Sequence, residues 1–108
     1  MSSDPAQWVE AARLDQLKPD VPHAVNLGGR PIGLYLQDGE VFAIGNICPH
    51  MKNILLTDGY LEDGLIECPM HQSQFEIRTG RCLSPPADED VPTYPVRVEN
   101  GAVLVGVG

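Results

Sequence analysis

The chain has 108 residues and a mass of 11.7 kDa, which leaves room for one domain but not for separate cofactor and substrate domains. Fifteen acidic residues against seven basic ones give a net charge of −8, which would repel phosphate backbones and anionic lipids. A hydrophobic fraction of 43% is typical of a folded globular protein and argues against disorder. We therefore expect one domain over residues 1–108 that binds neither nucleic acid nor a membrane.

Turn signals divide the chain into short segments, most of which have the composition of β-strands. Only residues 5–17 have a helical look, and the polar cluster at 15–19 predicts a single turn rather than a long helix. The predicted strands are 23–27, 32–36, 41–47, 65–67, 74–77, 94–99 and 102–107. Glycine-containing turns separate them at 28–30, 37–39, 57–59, 62–64, 78–80 and 99–101. This pattern predicts an all-β fold, a small antiparallel sandwich or barrel.

The expected compartment follows from the N-terminus and from the cysteine count. Residues 1–5 show neither a basic leader nor an apolar run, and no segment approaches the roughly 18 apolar residues of a membrane span. We therefore expect a cytoplasmic protein. An odd set of three cysteines in a reducing compartment argues for metal ligation rather than for a disulfide framework.

Two Cys/His pairs are the candidate ligands. Cys48 and His50 form a C-x-H pair, and seventeen residues later Cys68 and His71 form a C-x-x-H pair. Each pair follows a predicted strand, so each lies at the start of a loop. Two such loops side by side would offer two thiolates and two imidazoles, a donor set that suits zinc or an iron–sulfur cluster.

Zinc and iron differ in the ligand spacing that they favour. Structural zinc sites usually have C-x₂₋₄-C on one arm and H-x₃₋₅-H on the other, and the one-residue gap of C-x-H is tight for one ion. A site with two metal ions eases the geometry, because one ion takes both cysteines and the other takes both histidines, with sulfides between them. The spacing favours iron, and a zinc-stabilised β-module that serves as a binding platform stays as an alternative.

Beyond these pairs, the chain resembles the Rieske-type ferredoxins, small electron carriers of bacterial aromatic-ring-hydroxylating dioxygenase systems. The resemblance extends over residues 8–107, and its matching segments are 48–50, 58–62, 66–71, 75–80 and 93–99. It implies the Rieske iron–sulfur fold with two cluster-binding loops and one [2Fe–2S] cluster. Cys48 and Cys68 would hold the inner iron, and His50 and His71 the outer iron near the surface. The loop that contains residues 85–86 would cover the cluster.

The implied function is one-electron transfer, without catalysis by this chain. Electrons would come from a flavoprotein NAD(P)H reductase and pass to a terminal Rieske non-haem iron oxygenase that acts on an aromatic compound. No G-x-G-x-x-G or P-loop is present, and His23 is the histidine that remains, too few for a mononuclear iron site. The alternative is a small Rieske-like subunit of a nitrite-reductase type oxidoreductase, although many of those lack the four ligands that this chain has. We expect a monomer.

The residues around the predicted ligands indicate a low reduction potential. High-potential Rieske proteins have an extra cysteine in each loop, whereas this chain has Asn53 and Met70 there. Of their two hydroxyl donors to the cluster sulfurs, the serine is present as Ser73 but the tyrosine is replaced by Phe75. We expect a potential towards the bottom of the Rieske range of about −150 to +300 mV, which Ser73 would raise somewhat. Cys82 lies outside both loops and is predicted to be a packing residue.

Overall fold

The computed structural model describes residues 7–49, 53–70, 73–84 and 89–107. Short strands dominate this part of the chain, together with two single-turn 3₁₀ helices, Leu14–Gln16 and Leu56–Asp58. The strands are β1 Gln7–Arg13, β2 His23–Leu27, β3 Arg30–Gln37, β4 Glu40–Gly45, β5 Tyr60–Glu62, β6 Leu65–Glu67, β7 Gln74–Glu76, β8 Thr93–Tyr94, β9 Val96–Glu99 and β10 Ala102–Val107. None of the described helices has the length and apolar character needed to cross a bilayer.

The strands form three antiparallel sheets, in the orders β1–β10–β9, β2–β3–β4–β8 and β5–β6–β7. The predicted all-β antiparallel fold is therefore confirmed. Of the two predicted architectures the sandwich is the better description, because the sheets of the described chain do not close into a barrel.

Four two-residue turns connect neighbouring strands and explain the spacing of the turn signals. Each turn has both residues at positive φ, between 52° and 88°, as a tight hairpin with this strand twist requires. The turns are Gly28-Gly29, Asp38-Gly39, Asp63-Gly64 and Asn100-Gly101. The predicted signal at 57–59 has a different cause, because Gly59 has a φ of −94° and ends a 3₁₀ helix.

The helical character predicted for residues 5–17 is wrong for most of that segment. Residues 7–13 form β1, which pairs with β10 from Gln7↔Val107 to Arg13↔Ala102, while residues 5 and 6 lie outside the described part. Pairing with the valine-rich β10 overrides the weak local preference, since strand formation depends on the neighbours available. A single helical turn is present as predicted, but it covers Leu14–Gln16 rather than residues 15–19. Strand β5 was not predicted, because its three residues lie between the turn signals at 57–59 and 62–64.

Two hydrophobic cores lie on opposite faces of the central sheet β2–β3–β4–β8. Successive strand residues point to opposite faces, so Ile32 and Leu34 of β3 enter one core while Tyr35 enters the other. The first core lies against the β1–β10–β9 sheet and contains Ala12, Leu17, Ile32, Leu34, Ala43, Val103 and Val105. The second lies against β5–β6–β7 and contains Tyr35, Ile44, Cys48, Leu56, Ile66, Cys68, Phe75, Ile77 and Val91.

Candidate metal centre

The first candidate loop begins where β4 ends. Beyond the strand, the chain from Asn46 to Cys48 runs antiparallel to the returning segment. The Cys48 amide donates to the carbonyl oxygen of Ile54 at 3.0 Å, and the Leu56 amide donates to that of Asn46 at 2.9 Å. Cys48 and Ile54 therefore close a paired base, and the chain between them includes residues 50–52, which lie outside the described part.

The second candidate loop connects β6 to β7. Glu67 and Gln74 are the last pair of the strand ladder, and the Cys68 amide then donates to the carbonyl oxygen of Ser73 at 2.8 Å. Residues 69–72 lie between these two partners in the sequence, and residues 71–72 are outside the described part. The two loops are thus built alike: in each, the cysteine amide makes the last described backbone hydrogen bond before the loop, Cys48 to Ile54 and Cys68 to Ser73.

Both cysteines are fully buried in the second core. Cys48 and Cys68 have no exposed surface and belong to one cluster with Leu56, Ile66 and Phe75. Neither forms a disulfide. The fold therefore brings together the two thiols that the spacing singled out, at the base of neighbouring loops and shielded from water by apolar side chains.

His50 and His71 lie outside the described residues, so their predicted role stays a prediction. Among the residues that are described, no group of three His, Cys, Asp or Glu side chains is assembled for a metal ion. His23 is a half-buried residue of β2. Cys82 pairs with Phe75 in a short antiparallel bridge and packs against the second core, which confirms the predicted packing role.

A third segment is fastened beside the second loop. Its near end is held by β7, since the amide of Gln74 donates to Ser84 Oγ at 3.0 Å and its carbonyl oxygen accepts from the Leu83 amide at 2.8 Å. At its far end the Asp90 carboxylate accepts from the Cys82 amide at 2.9 Å. Residues 85–86, predicted to cover the cluster, lie outside the described part between these two anchors.

The side chains near the two loops include apolar groups that are exposed to solvent and others that are fully buried. Met70, in the second loop, is 60% exposed, and Leu83, in the neighbouring segment, is 45% exposed. Phe75 is fully buried and has no hydroxyl to donate, as the sequence indicated. Tyr35 is also fully buried, and none of the described residues makes a hydrogen bond to its hydroxyl. Burial therefore raises the pKa of the Tyr35 phenol well above its ordinary value.

The donor set of the described residues fits an iron–sulfur centre better than a hydrolytic metal site. Two buried soft thiols in an apolar core are typical of such centres, whereas carboxylate ligands would mark a site for a harder ion. A cavity of about 430 Å³ lies at the opposite end of β4 and β6, between the Asp38-Gly39 and Asp63-Gly64 turns. The cysteines are therefore separate from this cavity, whose lining includes four acidic residues, Asp20, Asp38, Glu62 and Asp63.

Comparison with known proteins agrees with this arrangement. A sequence profile of the Rieske [2Fe-2S] domain matches residues 7–95. The chain belongs to this family. It is 40% identical over 98 residues to the ferredoxin component of the naphthalene 1,2-dioxygenase/salicylate 5-hydroxylase systems of Ralstonia sp., covering 91% of this chain and 93% of the relative. The predicted resemblance to a Rieske-type ferredoxin is confirmed.

Solved structures of Rieske proteins share the fold over most of their length. The ferredoxin of carbazole 1,9a-dioxygenase from Nocardioides aromaticivorans IC177 has a TM-score of 0.90 and 34% identity, covering 95% of this chain and all of that one (100%). A structure described as a complex of reduced oxygenase and oxidised ferredoxin in carbazole 1,9a-dioxygenase gives 0.85 at 28% identity, with 92% of each chain covered. A putative NADH-dependent nitrite reductase small subunit from Mycobacterium tuberculosis gives 0.84 at 29%, covering 94% and 96%.

Proposed function

We propose that this protein is the one-electron carrier of an aromatic-ring dioxygenase system, with Cys48, His50, Cys68 and His71 as the ligands of one Rieske [2Fe–2S] cluster. The observation that carries the proposal is the burial of Cys48 and Cys68 in one core, at the bases of two adjacent loops. In each loop a histidine follows the cysteine by two or three residues. When bound, such a cluster accepts and returns single electrons.

The chain's own residues would hold the site rigid and exclude water from its inner side. Amide hydrogen bonds fix Cys48 to Ile54 and Cys68 to Ser73, so both thiols start from paired backbone rather than from free loops. The surrounding core keeps solvent away from the two sulfurs. The resemblance to Rieske ferredoxins would place His50 and His71 on the outer side of the site, and the 60% exposure of Met70, next to His71 in the sequence, supports a surface that a partner protein can approach.

The proposed partners are a flavoprotein NAD(P)H reductase as donor and a terminal oxygenase as acceptor. Support for the acceptor comes from the structure described as a complex of oxygenase and ferredoxin in carbazole 1,9a-dioxygenase, one chain of which has the same fold at 28% identity. The protein would act in the cytoplasm as a monomer. It would be one domain over residues 1–108, since β1 near the start pairs with β10 near the end in a single sheet.

A small subunit of a nitrite-reductase type enzyme is the second candidate. The structural similarity to the putative mycobacterial subunit favours it, with a TM-score of 0.84. The dioxygenase assignment is the stronger of the two because its relatives reach 40% identity. Reconstitution separates them: the carrier should restore turnover of a dioxygenase with its flavoprotein reductase and should not copurify with a nitrite reductase large subunit.

The ligand assignment is tested by electron paramagnetic resonance with iron and sulfide analysis, on the protein as isolated and after reduction with dithionite. The wild type should contain two irons and two sulfides per chain and show a rhombic signal of low average g only when reduced. Alanine substitution of each of the four proposed ligands should abolish that signal.

The cysteine and the histidine that are not proposed as ligands, Cys82 and His23, provide matched controls. Cys82→Ala and His23→Asn should keep the full iron content and the spectrum, since Cys82 packs beside β7 and His23 lies in β2. A wild-type sample with one zinc and no sulfide would contradict the electron-carrier function. Loss of the signal in either control variant would contradict the ligand assignment.

A further inference from the structure

Asn46, two residues before Cys48, is almost completely buried, with 1% of its surface exposed. Its backbone amide donates to the carbonyl oxygen of Pro31 at 3.1 Å, and its own carbonyl oxygen accepts from the Leu56 amide at 2.9 Å. Its side chain makes two more hydrogen bonds, both to Thr57. Oδ1 accepts from the Thr57 amide at 2.9 Å, and Nδ2 donates to Thr57 Oγ1 at 2.9 Å.

These two side-chain bonds extend the base of the first loop by one step. The backbone pairing between the two arms ends at Leu56, where the 3₁₀ helix Leu56–Asp58 turns the chain away. The Asn46 amide group takes the place of the next backbone partner and satisfies the Thr57 amide. A short side chain thus fixes the distance between the outgoing arm, which leads to Cys48, and the returning arm.

Thr57 is held from its other side as well. A β-carbon added to Gly33 would lie 3.0 Å from Thr57 Cγ2 and 2.7 Å from the Tyr35 hydroxyl oxygen, so the methyl group and the tyrosine ring crowd the space above this glycine. The Thr57 hydroxyl faces Asn46 while its methyl faces the β3 strand. Any movement of the returning arm must therefore break a hydrogen bond or disturb the core.

We propose that Asn46 and Thr57 form a positioning clamp that keeps the first loop in the geometry that retains the iron–sulfur cluster. This inference rests on the proposed function. Neither clamp residue is one of the four proposed ligands, and both would act through the backbone that leads to Cys48. Without the Thr57 hydroxyl, the buried Nδ2 group of Asn46 would lose its acceptor, a loss that buried polar groups tolerate poorly.

Two substitutions at Thr57 separate the hydrogen bond from the packing. Thr57→Val keeps the methyl contact over Gly33 and removes Oγ1, whereas Thr57→Ser keeps Oγ1 and removes the methyl. The probe is the decay of the visible absorbance of the holoprotein in excess chelator, with the paramagnetic resonance spectrum of the reduced protein as second readout. We expect Thr57→Val to lose the cluster roughly tenfold faster than wild type, which corresponds to ~1.4 kcal/mol. Its g-values should be shifted.

Thr57→Ser should lose the cluster within about twofold of the wild-type rate and keep the wild-type g-values, since its clamp bond is intact. Equal rates and spectra for Thr57→Val and wild type would overturn the clamp. So would a loss in Thr57→Ser as fast as that in Thr57→Val, because packing would then be the cause. The wild-type arm tests the proposed function separately: a wild type that contains no iron or sulfide contradicts that function, whereas a stable cluster in both variants contradicts the clamp alone.

Discussion

Gly59 lies so close to the carbonyl oxygen of Glu67 that a β-carbon on Gly59 would stand 1.8 Å from that oxygen. The contact joins the two loops of the candidate centre. Gly59 follows the 3₁₀ helix that ends the first loop, and Glu67 immediately precedes Cys68 at the start of the second. The same added β-carbon would lie 3.1 Å from Pro69 Cδ inside the second loop.

Gly59→Ala is therefore expected to push the loops apart. The opposing atom is backbone, which cannot rotate away as a side chain can, so the cost should reach about 2–3 kcal/mol of unfolding free energy. Urea denaturation of the variant measures this loss, and iron content measures the accompanying loss of the cluster. Gly28→Asn is the control: Gly28 has a φ of +60° that asparagine tolerates, and nothing lies within 4 Å of its added β-carbon. Similar stability for Gly59→Ala and wild type would show that the loops are not in contact.

The strands were predictable wherever an Asp-Gly or Asn-Gly pair specifies the turn between them. Asp38-Gly39, Asp63-Gly64 and Asn100-Gly101 each specify a tight hairpin by their own conformational preferences, and the flanking strands follow. Gly59 carries the same Asp-Gly signal for a different reason, the close approach to Glu67. A contact between residues distant in the sequence is not visible in a local pattern, which is why the sequence predicted the turn at 57–59 but not the reason for its glycine.

Two side-chain hydrogen bonds, from the Gln74 amide to Ser84 and from the Cys82 amide to Asp90, should slow hydrogen exchange around the segment that precedes β8. Asp90→Ala removes the acceptor of the Cys82 amide, and Ser84→Ala removes that of the Gln74 amide. Each loss should cost ~1 kcal/mol locally and increase hydrogen exchange at the amide that loses its partner. Exchange measured by mass spectrometry on peptides that contain Gln74 and Cys82 checks this.

Two control variants sharpen the test of the Asp90 anchor. Asp90→Asn keeps an oxygen in the position of Oδ1, so its exchange should match that of the wild type. Glu89→Ala, at the exposed neighbouring position, should also leave exchange unchanged. If Asp90→Ala behaves like Glu89→Ala, the carboxylate does not anchor the segment.

Tyr35 is expected to tolerate loss of its hydroxyl. The group is buried and makes no hydrogen bond to the described residues, so Tyr35→Phe removes an unfavourable polar burial and should leave stability unchanged or raise it by up to ~1 kcal/mol. Burial raises the phenol pKa in the folded state. Below the pKa of about 10 that the phenol has in the unfolded chain, Tyr35 is neutral in both states and does not make stability depend on pH. Above that value the unfolded chain ionises while the folded protein does not, so the free energy of unfolding decreases as the pH rises.

Denaturation of wild type and Tyr35→Phe at pH 8 and at pH 11 checks both statements. The wild type should lose more stability between these values than the variant, because only the wild type has this phenol to ionise on unfolding. A variant that is less stable than wild type at pH 8 by more than about 1 kcal/mol would mean that the hydroxyl has a hydrogen-bond partner.

The sequence singled out the two cysteines that the structure places together, but not the side chains that hold the backbone beside them. Cysteine and histidine are rare enough that two spaced pairs single out candidate ligands, and the structure places two of the four, Cys48 and Cys68, in one core. Asn46 gave no such signal, because an asparagine before a turn is common and its bonds to Thr57 exist only once the first loop is folded. Side chains that position ligands through the backbone depend on tertiary structure, so composition and spacing do not reveal them.

Ser73 should tune the reduction potential of the proposed cluster. It is fully buried at the closing pair of the second loop, where its carbonyl oxygen accepts from the Cys68 amide. A hydroxyl that donates to a cluster sulfur stabilises the reduced, more negative state, so Ser73→Gly should lower the midpoint potential by an amount on the order of tens of millivolts. Protein-film voltammetry measures the shift, and Ser73→Ala controls for the added freedom of a glycine backbone. Both variants should shift together. A potential that changes in Ser73→Gly but not in Ser73→Ala would assign the effect to the loop backbone, and no shift in either would show that the hydroxyl does not reach the cluster.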